Sequence, residues 1–262
     1  MRHIDEDTIT QAVIARHATA GDGRLREVVT SLVQHLHAFA RDVKLTEAEW
    51  AEGVRFLAEC GRHDVALLSD TLGLTALVTA ANRRKPNGCT EAALPPAAFA
   101  SGVPHAPAAQ QAEPCFVRGR VCALDGTPIA GAAAHVGSAQ PLRTDTDGSF
   151  VCKTIVAAPQ PLAHDGPVAT LLHALGRPPW RPAHLHFTIS APGYERLVTQ
   201  VFRRGDPYLD ADAVFGVRSS LVADWVRHAR GRTPDGQHSA EPFTTLDFTF
   251  VLNNDTAGDT PS

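Results

Sequence analysis

The chain has 262 residues, of which 44% are hydrophobic, and a formal net charge of −4 at pH 7. This length suits one large or two modest domains with a substantial apolar core. The negative charge argues against a nucleic-acid or anionic-membrane partner. No signal-peptide pattern is visible, and no apolar run approaches the ~20 residues of a membrane span, so we expect a soluble cytoplasmic protein.

The cysteines are odd in number and form neither a Cys-x-x-Cys motif nor a zinc-like cluster. They are Cys60, Cys89, Cys115, Cys122 and Cys152. This distribution predicts reduced thiols, which agrees with a cytoplasmic location.

Apolar residues recur with helical spacing from residue 7 to about residue 84. One helix face is predicted to carry Leu25, Val28, Val29, Leu32, Val33, Leu36 and Phe39. The run Thr-Glu-Ala-Glu at residues 46–49 has the form of a capping box, which predicts the start of another helix. A further apolar helix is predicted between residues 64 and 83. Residues 1–84 are therefore predicted to form a helical domain.

The pattern changes after residue 84. Residues 85–114 are rich in Ala, Pro, Gly and Gln and predict an irregular linker. Residues 115–252 contain short runs separated by Asp-Gly turn signals, which predict an antiparallel β-sandwich. Short helical segments are also expected at residues 168–175 and 219–230, and residues 253–262 are predicted to be a polar tail. The predicted fold class is α+β, with a helical region followed by the sandwich.

The most informative stretch is residues 181–190, because it places two histidines at positions i and i+2 of a predicted strand. Side chains alternate along a strand, so His184 and His186 point to the same face with Cα atoms roughly 6.5–7 Å apart. That spacing suits two ligands of one metal ion. The alternative is a pair of ordinary strand histidines with satisfied ring nitrogens, and the preceding Trp180 and Arg181 argue against it.

Four runs of the sequence carry a family resemblance. Residues 176–202, which include Arg-Pro-Ala-His-Leu-His-Phe, and the run Gly-Asp-Pro-Tyr-Leu at 205–209 resemble the intradiol ring-cleavage dioxygenases, and most of all their hydroxyquinol 1,2-dioxygenase branch. Residues 24–39 and 67–73 resemble the same branch, so the resemblance covers most of the chain. It implies a helical dimerisation region, and hence a homodimer, before a catalytic β-sandwich. It also implies a small phenolic or aromatic substrate.

The chain departs from the family at the metal ligands. Members of the family hold Fe(III) with two histidines and two tyrosinate oxygens, and this chain contains only Tyr194 and Tyr208, which lie in matched segments that supply no iron ligand in the family. One ligand tyrosine would fall in the stretch Ala-Ala-Pro-Gln-Pro, where Gln160 stands instead. The segment of the other tyrosine is much shortened, since His135 is followed almost directly by Arg143. The resemblance therefore implies that standard tyrosinate-bound Fe(III) is not held.

Two imidazoles alone still form part of a metal site. Neutral imidazoles stabilise ferric iron much less well than phenolates do. His184 and His186 are therefore predicted to bind one metal ion of unassigned identity, such as Fe(II), Zn, Cu or Ni, if a third ligand converges on them. The candidates for that ligand are His135, Gln160, His164 and Asp165. A solvent-facing strand position is the preferred interpretation of the first, and a structural turn that of the last two.

Further polar residues match pocket positions of the family. Arg181 matches an arginine that stabilises negative charge on the substrate, and its planar, permanently charged fork suits an enolate or a carboxylate. Gln200 matches a position near the iron in catechol-type members. Asp70 matches a residue that reaches the pocket of the hydroxyquinol branch, with helix capping around Gly73 as the alternative. Gln160 is a further candidate for substrate binding.

Three functions fit these observations. The first is an enzyme with altered chemistry that acts on a phenolic, catechol-like or enolic small molecule through Arg181, His184, His186 and Gln200, with a nonstandard metal or with none. The second is a non-catalytic relative that binds a ligand or pairs with an active paralogue. The third is a ring-cleaving dioxygenase with a substitute ligand set. The retained His-x-His strand and its arginine favour the first.

Overall fold

A computed structural model describes residues 5–17, 21–63, 65–94, 113–137, 139–162 and 165–255. The chain forms two compact units, residues 1–59 and 60–262. Residues 95–112 of the predicted linker and 256–262 of the predicted tail lie outside the described residues. The domain boundary at residue 84 stays a prediction, whereas the helical pattern on which it rests ends at Asn82 in the structure.

The helical region predicted for the first third of the chain is confirmed. Its described part contains α1 (Ile9–His17), α2 (Gly23–Asp42), α3 (Glu47–His63), α4 (Val65–Thr71) and α5 (Leu74–Asn82). The predicted capping box opens α3, where Thr46 and Glu49 exchange backbone and side-chain hydrogen bonds of 2.9 and 3.3 Å. These bonds satisfy amide groups that the first helical turn leaves unpaired.

The apolar stripe of α2 lies on the surface of the chain. Five of its seven members are about half-exposed, namely Leu25, Val28, Leu32, Leu36 and Phe39, and Val29 and Val33 are partly buried. No residue of α2 is buried. Because isolated helices of this length gain most of their stability from burial of an apolar face, this stripe is an unfilled packing surface.

Helices α4 and α5 belong to the second unit. Thr71 at the end of α4 accepts a 2.7 Å hydrogen bond from Nη1 of Arg177, which lies in the sandwich half of the chain. Gly73, with φ 75°, separates the two helices. Among the described residues no single helix is both long and apolar enough to cross a membrane. The α4–α5 pair meets the length and composition criteria only when both helices are counted across a 76° bend.

The predicted β-sandwich is confirmed, and its strands are listed here with the helix among them. They are β1 (Pro114–Ala123), β2 (Ala133–Val136), β3 (Leu142–Arg143), β4 (Ser149–Ile155), β5 (Gln160–Pro161), α6 (Pro167–Ala174), β6 (Trp180–Arg181), β7 (His184–Ser190), β8 (Leu197–Arg203), β9 (Val222–Ala223), β10 (Trp225–His228), β11 (Gly231–Arg232), β12 (His238–Ser239) and β13 (Phe243–Leu252). Helix α6 confirms the helical segment expected at residues 168–175.

Two sheets form the sandwich, in the orders β10-β13-β1-β4 and β3-β2-β7-β8-β9. Strands β5 and β6, and β11 and β12, form two small separate sheets. The main sheets are mixed rather than purely antiparallel, because β13 runs parallel to β1 and β9 runs parallel to β8. Alternate residues of the two sheets pack into one core, including Val117, Phe187, Ile189, Leu246 and Phe250.

The prediction of a helix at residues 219–230 is wrong. This segment contains one 3₁₀ turn, Ser219–Leu221, followed by strands β9 and β10. Trp225 of β10 pairs with Leu246 of β13, so the hydrogen-bonding edge of a long strand determines the local structure. Tertiary pairing of this kind overrides helical propensity.

Among the described residues, Cys89, Cys115, Cys122 and Cys152 form no disulfide bond. Burial raises the pKa of the Cys115 thiol to about 12, and the neighbouring Cys152 adds to that rise. Burial also raises the pKa of Cys89, Cys122 and Cys152. Because the thiolate is the nucleophilic form, these thiols are structural rather than reactive at neutral pH.

Candidate active site

Strand β7 presents its two histidines on the face that turns away from the sandwich core. Leu185, Phe187 and Ile189 alternate with them and pack into the core. His184 is only 2% exposed, so this outer face is itself covered. The two imidazole Nε2 atoms lie 3.2 Å apart, which confirms that the side chains share one face and converge.

Hydrogen bonds assign the protons of the two rings. Nδ1 of His184 lies 2.7 Å from the carbonyl oxygen of Pro182, which can only accept, so this nitrogen donates and Nε2 carries a lone pair. The amide nitrogen of Gln200 lies 3.3 Å from Nδ1 and 3.5 Å from Nε2 of His186, and we assign its hydrogen bond to the nearer atom, Nδ1, as acceptor. Nε2 of His186 then carries the proton and donates to Nε2 of His184.

Gln200 is oriented by the neighbouring arginine. It lies directly opposite His186 in the β7–β8 ladder. Its Oε1 atom accepts a 3.1 Å hydrogen bond from Nη2 of Arg181, so its amide nitrogen is turned toward the histidine. The predicted residues Arg181, His184, His186 and Gln200 are therefore brought together in one hydrogen-bonded chain.

The chain of hydrogen bonds ends at Asp212, which the sequence analysis did not select. Its carboxylate oxygens lie 3.2 Å from Nε and 3.4 Å from Nη2 of Arg181, and both side chains are about 3% exposed. The carboxylate also accepts hydrogen bonds from the backbone amides of Val214, at 3.4 Å, and Gly216, at 2.8 Å. We refer to Asp212, Arg181, Gln200, His186 and His184 as the proton network.

Two features of the loop that follows β8 hold the Arg181–Asp212 pair in place. A Cβ atom at Gly216 would lie 2.7 Å from Nη2 of Arg181, so the backbone passes directly against the guanidinium and a larger residue here would displace it. The Asp206 carboxylate accepts hydrogen bonds from the backbone amides of Ala183, at 3.0 Å, and Tyr208, at 2.9 Å. It therefore ties the start of the histidine strand to the loop that carries Asp212. A buried arginine requires a counter-ion, and that requirement could have indicated an acidic partner for Arg181 without showing which acidic residue it is.

The other predicted site residues have defined places. Gln160 lies across from Arg181 in the β5–β6 pair and is half-buried. Asp70 is fully buried in α4. His135 is exposed on β2 and Asp165 is exposed before α6, whereas His164 lies outside the described residues. The substrate contacts of Gln160 and Asp70 stay predictions.

The contacts of Tyr194 and Tyr208 in the structure do not place either ring as a metal ligand. The ring of Tyr208 stacks on Trp180 at a centroid distance of 5.5 Å. Tyr194 packs against the sandwich core, and its backbone pairs with Asn254. Strands β2 and β3 are joined by residues 137–141, and Gly137 donates a 2.9 Å hydrogen bond to the carbonyl of His186. The shortened segment therefore begins beside the histidine pair.

Comparison with known proteins places the chain in a family. A model described as "Dioxygenase" matches residues 137–254, and one described as "Catechol dioxygenase N terminus" matches residues 22–90. The chain is 47% identical to the 6-chlorohydroxyquinol 1,2-dioxygenase of Cupriavidus pinatubonensis, over 97% of this chain and 99% of that protein. The chain belongs to the intradiol ring-cleavage dioxygenase family.

Other members of the family agree with this assignment. The hydroxyquinol 1,2-dioxygenase of Nocardioides simplex is 37% identical, with 95% of each chain covered. The crystal structure of the hydroxyquinol 1,2-dioxygenase from Pseudomonas putida DLL-E4 superimposes with a TM-score of 0.85 at 34% identity, covering 95% of this chain and 99% of that one. A helical region followed by a β-sandwich is thus shared with intradiol dioxygenases.

The residues present fit only half of the family's iron ligand set. Metal–nitrogen bonds of about 2.1 Å that meet at about 100° hold two nitrogens about 3.2 Å apart, which is the separation of the two Nε2 atoms. However, a metal on both nitrogens requires His186 to move its proton to Nδ1, which faces the amide N–H of Gln200. Within the described ranges no group of three or more His, Cys, Asp or Glu side chains could hold a metal ion. The anionic half of an Fe(III) site is not matched.

The buried ion pair of the proton network should be sensitive to loss of one partner. We expect Asp212→Asn to lower the free energy of unfolding by roughly 3 kcal/mol, because it leaves the Arg181 charge buried without its counter-ion. The exposed pair Arg204–Asp224 is the matched control, and Asp224→Asn should cost less than about 1 kcal/mol. Urea unfolding measures both. Equal losses of unfolding free energy for the two substitutions would show that the buried pair stabilises the fold no more than the exposed pair does.

Proposed function

We propose that this member of the family acts on a phenolic or catechol-like small molecule, or on an enol of similar shape, by acid–base chemistry at His184 and His186. Fe(III)-dependent ring cleavage is not part of the proposal. The observation that carries it is the 3.2 Å contact of the two Nε2 atoms, which the assigned tautomers make an acceptor and a donor. Such a pair matches a hydroxyl group, which both donates and accepts.

In the proposed complex, one hydroxyl oxygen of the ligand lies against both rings. An oxygen at about 2.8 Å from both nitrogens completes a triangle with their 3.2 Å separation. Its proton is then donated to Nε2 of His184, while Nε2 of His186 donates to the oxygen. The Pro182 carbonyl, which accepts from Nδ1 of His184, favours the imidazolium that forms when this histidine takes the proton.

Arg181 acts on the histidine pair through Gln200, because its own charge is balanced by Asp212. Its guanidinium is buried and connects to His186 through Gln200. The Arg181–Asp212 pair and the Gln200 amide form a polar environment that is already oriented before the ligand loses its proton. The Asp212 carboxylate keeps the guanidinium in place.

Proton transfer needs no co-reactant. The proton that leaves the hydroxyl goes to His184, and its return to a ring or enol carbon gives the keto tautomer without any change in oxidation state. We therefore propose keto–enol interconversion of a polyhydroxylated ring or enol as the reaction class. Binding without turnover is the alternative that the test below distinguishes.

Two further observations support loss of the iron ligand set. The alignment with the Cupriavidus relative spans 284 positions and that with the Nocardioides relative 279, more than the 262 residues of this chain. Those relatives therefore have residues with no counterpart here. The match to the dioxygenase model begins at residue 137, within the shortened β2–β3 connection.

Binding of catechol under oxygen-free, metal-chelating conditions tests the proposed site. We expect catechol to bind in titration calorimetry, and 1,2-dimethoxybenzene to bind at least about tenfold more weakly because it has no hydroxyl proton to donate. His184→Ala should weaken catechol binding by a similar factor. His173→Ala, at an exposed position on α6, is the matched control and should have no effect.

Deuterium incorporation into the ring carbons of hydroxyquinol, followed by NMR in the same buffer, tests the acid–base step. The protein should accelerate incorporation, and His184→Ala should abolish the acceleration. Equal binding of catechol and its dimethyl ether would contradict the hydroxyl-binding site. Tight binding of catechol with no acceleration would instead favour the non-catalytic function.

We also propose that the exposed stripe of α2 joins two copies of the chain. Five apolar residues on one face are each about half-exposed, which is an arrangement typical of interaction surfaces. We expect Leu32→Asp to convert a dimer into monomers in sedimentation experiments, because it places a charge in the centre of the stripe. Gln34→Asp, at an exposed position of the same helix, should leave the dimer intact. A wild-type monomer would refute this assembly.

A further inference from the structure

A second concave surface lies beside the loop that follows Asp212. It is a groove of about 470 Å³, and its lining includes Arg177, Asp210, Phe215 and Arg218. Asp212 is the one member of the proton network among its lining residues. The volume falls within the range of small-molecule sites in proteins.

Phe215 is held in the groove in an unfavourable backbone conformation. Its φ of 56° lies in the left-handed region, which is unfavourable for a residue with a bulky side chain. Its ring lies 3.4 Å from the point that a Cβ atom at Gly73 would occupy. The guanidinium carbon of Arg177 lies over the ring, 4.8 Å from its centroid. The side chain nevertheless remains 48% exposed. The unfavourable backbone conformation at Phe215 therefore holds a partly exposed aromatic ring beside the groove.

Two guanidinium groups are fixed beside this ring. Arg177 donates to the backbone oxygens of Thr71, at 2.7 Å, and Ala213, at 3.1 Å. Arg218 donates to those of Phe215, at 3.0 Å, and Val217, at 3.1 Å. A guanidinium has five N–H donors, so both arginines keep donors beyond these bonds. Anchoring on backbone carbonyls orients both side chains and leaves their charges uncompensated by these contacts.

The charges around the groove favour an anion. Within the described residues, neither Arg177 nor Arg218 lies within 4 Å of a carboxylate oxygen in an ion pair. Asp212 is compensated by Arg181, which leaves Asp210 as the acidic group that offsets part of the positive charge. Planar guanidiniums suit carboxylates, and an aromatic ring suits a planar apolar body.

We propose that this groove is a binding site for a planar aromatic or unsaturated carboxylate. The guanidinium of Arg218, supported by that of Arg177, binds the carboxylate, and the ring of Phe215 stacks on the planar part of the ligand. The site is separate from the histidine pair and does not depend on the function proposed for it.

Benzoate is the probe for this site, and benzamide is its neutral counterpart. We expect benzoate to bind the wild-type protein in titration calorimetry and benzamide to bind at least about tenfold more weakly, because the groove recognises charge. Arg218→Gln and Phe215→Leu should each weaken benzoate binding severalfold. Arg230→Gln, at an exposed arginine outside the groove, is the matched control and should bind as the wild type does.

Three results would overturn the proposal. The first is benzoate binding that is absent at millimolar concentration, and the second is binding that is unchanged in both groove variants. The third is competition between benzoate and catechol together with loss of benzoate binding in His184→Ala, which would place the acid between the histidines. Because catechol binding and its variants are measured separately, failure of the groove and failure of the histidine site give different patterns.

Discussion

The buried ion pair between Arg181 and Asp212 is the interaction on which the site depends. Removing a guanidinium from water costs several kcal/mol unless a counter-ion and hydrogen bonds compensate it. Here the loop supplies a carboxylate, two backbone amides that bind that carboxylate, and a glycine that lets the backbone approach. Once the guanidinium is fixed, it fixes the amide of Gln200, and Gln200 in turn assigns the proton of His186.

The proton network does not use the positions where the family holds its tyrosinates. Fe(III) bound by two tyrosinates is largely neutralised, whereas a trivalent cation held by two neutral imidazoles would leave a large uncompensated charge in a buried site. The proposed absence of both anions would therefore go with loss of the ferric ion itself. The remaining groups are joined by hydrogen bonds, since the Nε2–H of one histidine is accepted by the other.

Much of the fold and part of the site could be predicted from the sequence. The alternation of side chains along a strand was enough to place His184 and His186 on one face, and helical spacing was enough to predict α2 and α3. Asp212 could not be selected, because nothing local shows which of several acidic residues folds back onto a buried arginine. Strand β10 could not be recognised either, since its structure depends on pairing with β13, which follows it in the chain. Both cases depend on contacts between distant parts of the sequence.

The most direct test of this account is the metal content and visible spectrum of the full chain after loading with Fe(III) and removal of excess metal. We expect substoichiometric iron and no tyrosinate-to-Fe(III) charge-transfer band, because the two histidines are not joined by tyrosinate ligands. One equivalent of iron with that band would contradict it, and would mean that Tyr194 or Tyr208 serves as a ligand and that ring cleavage is retained.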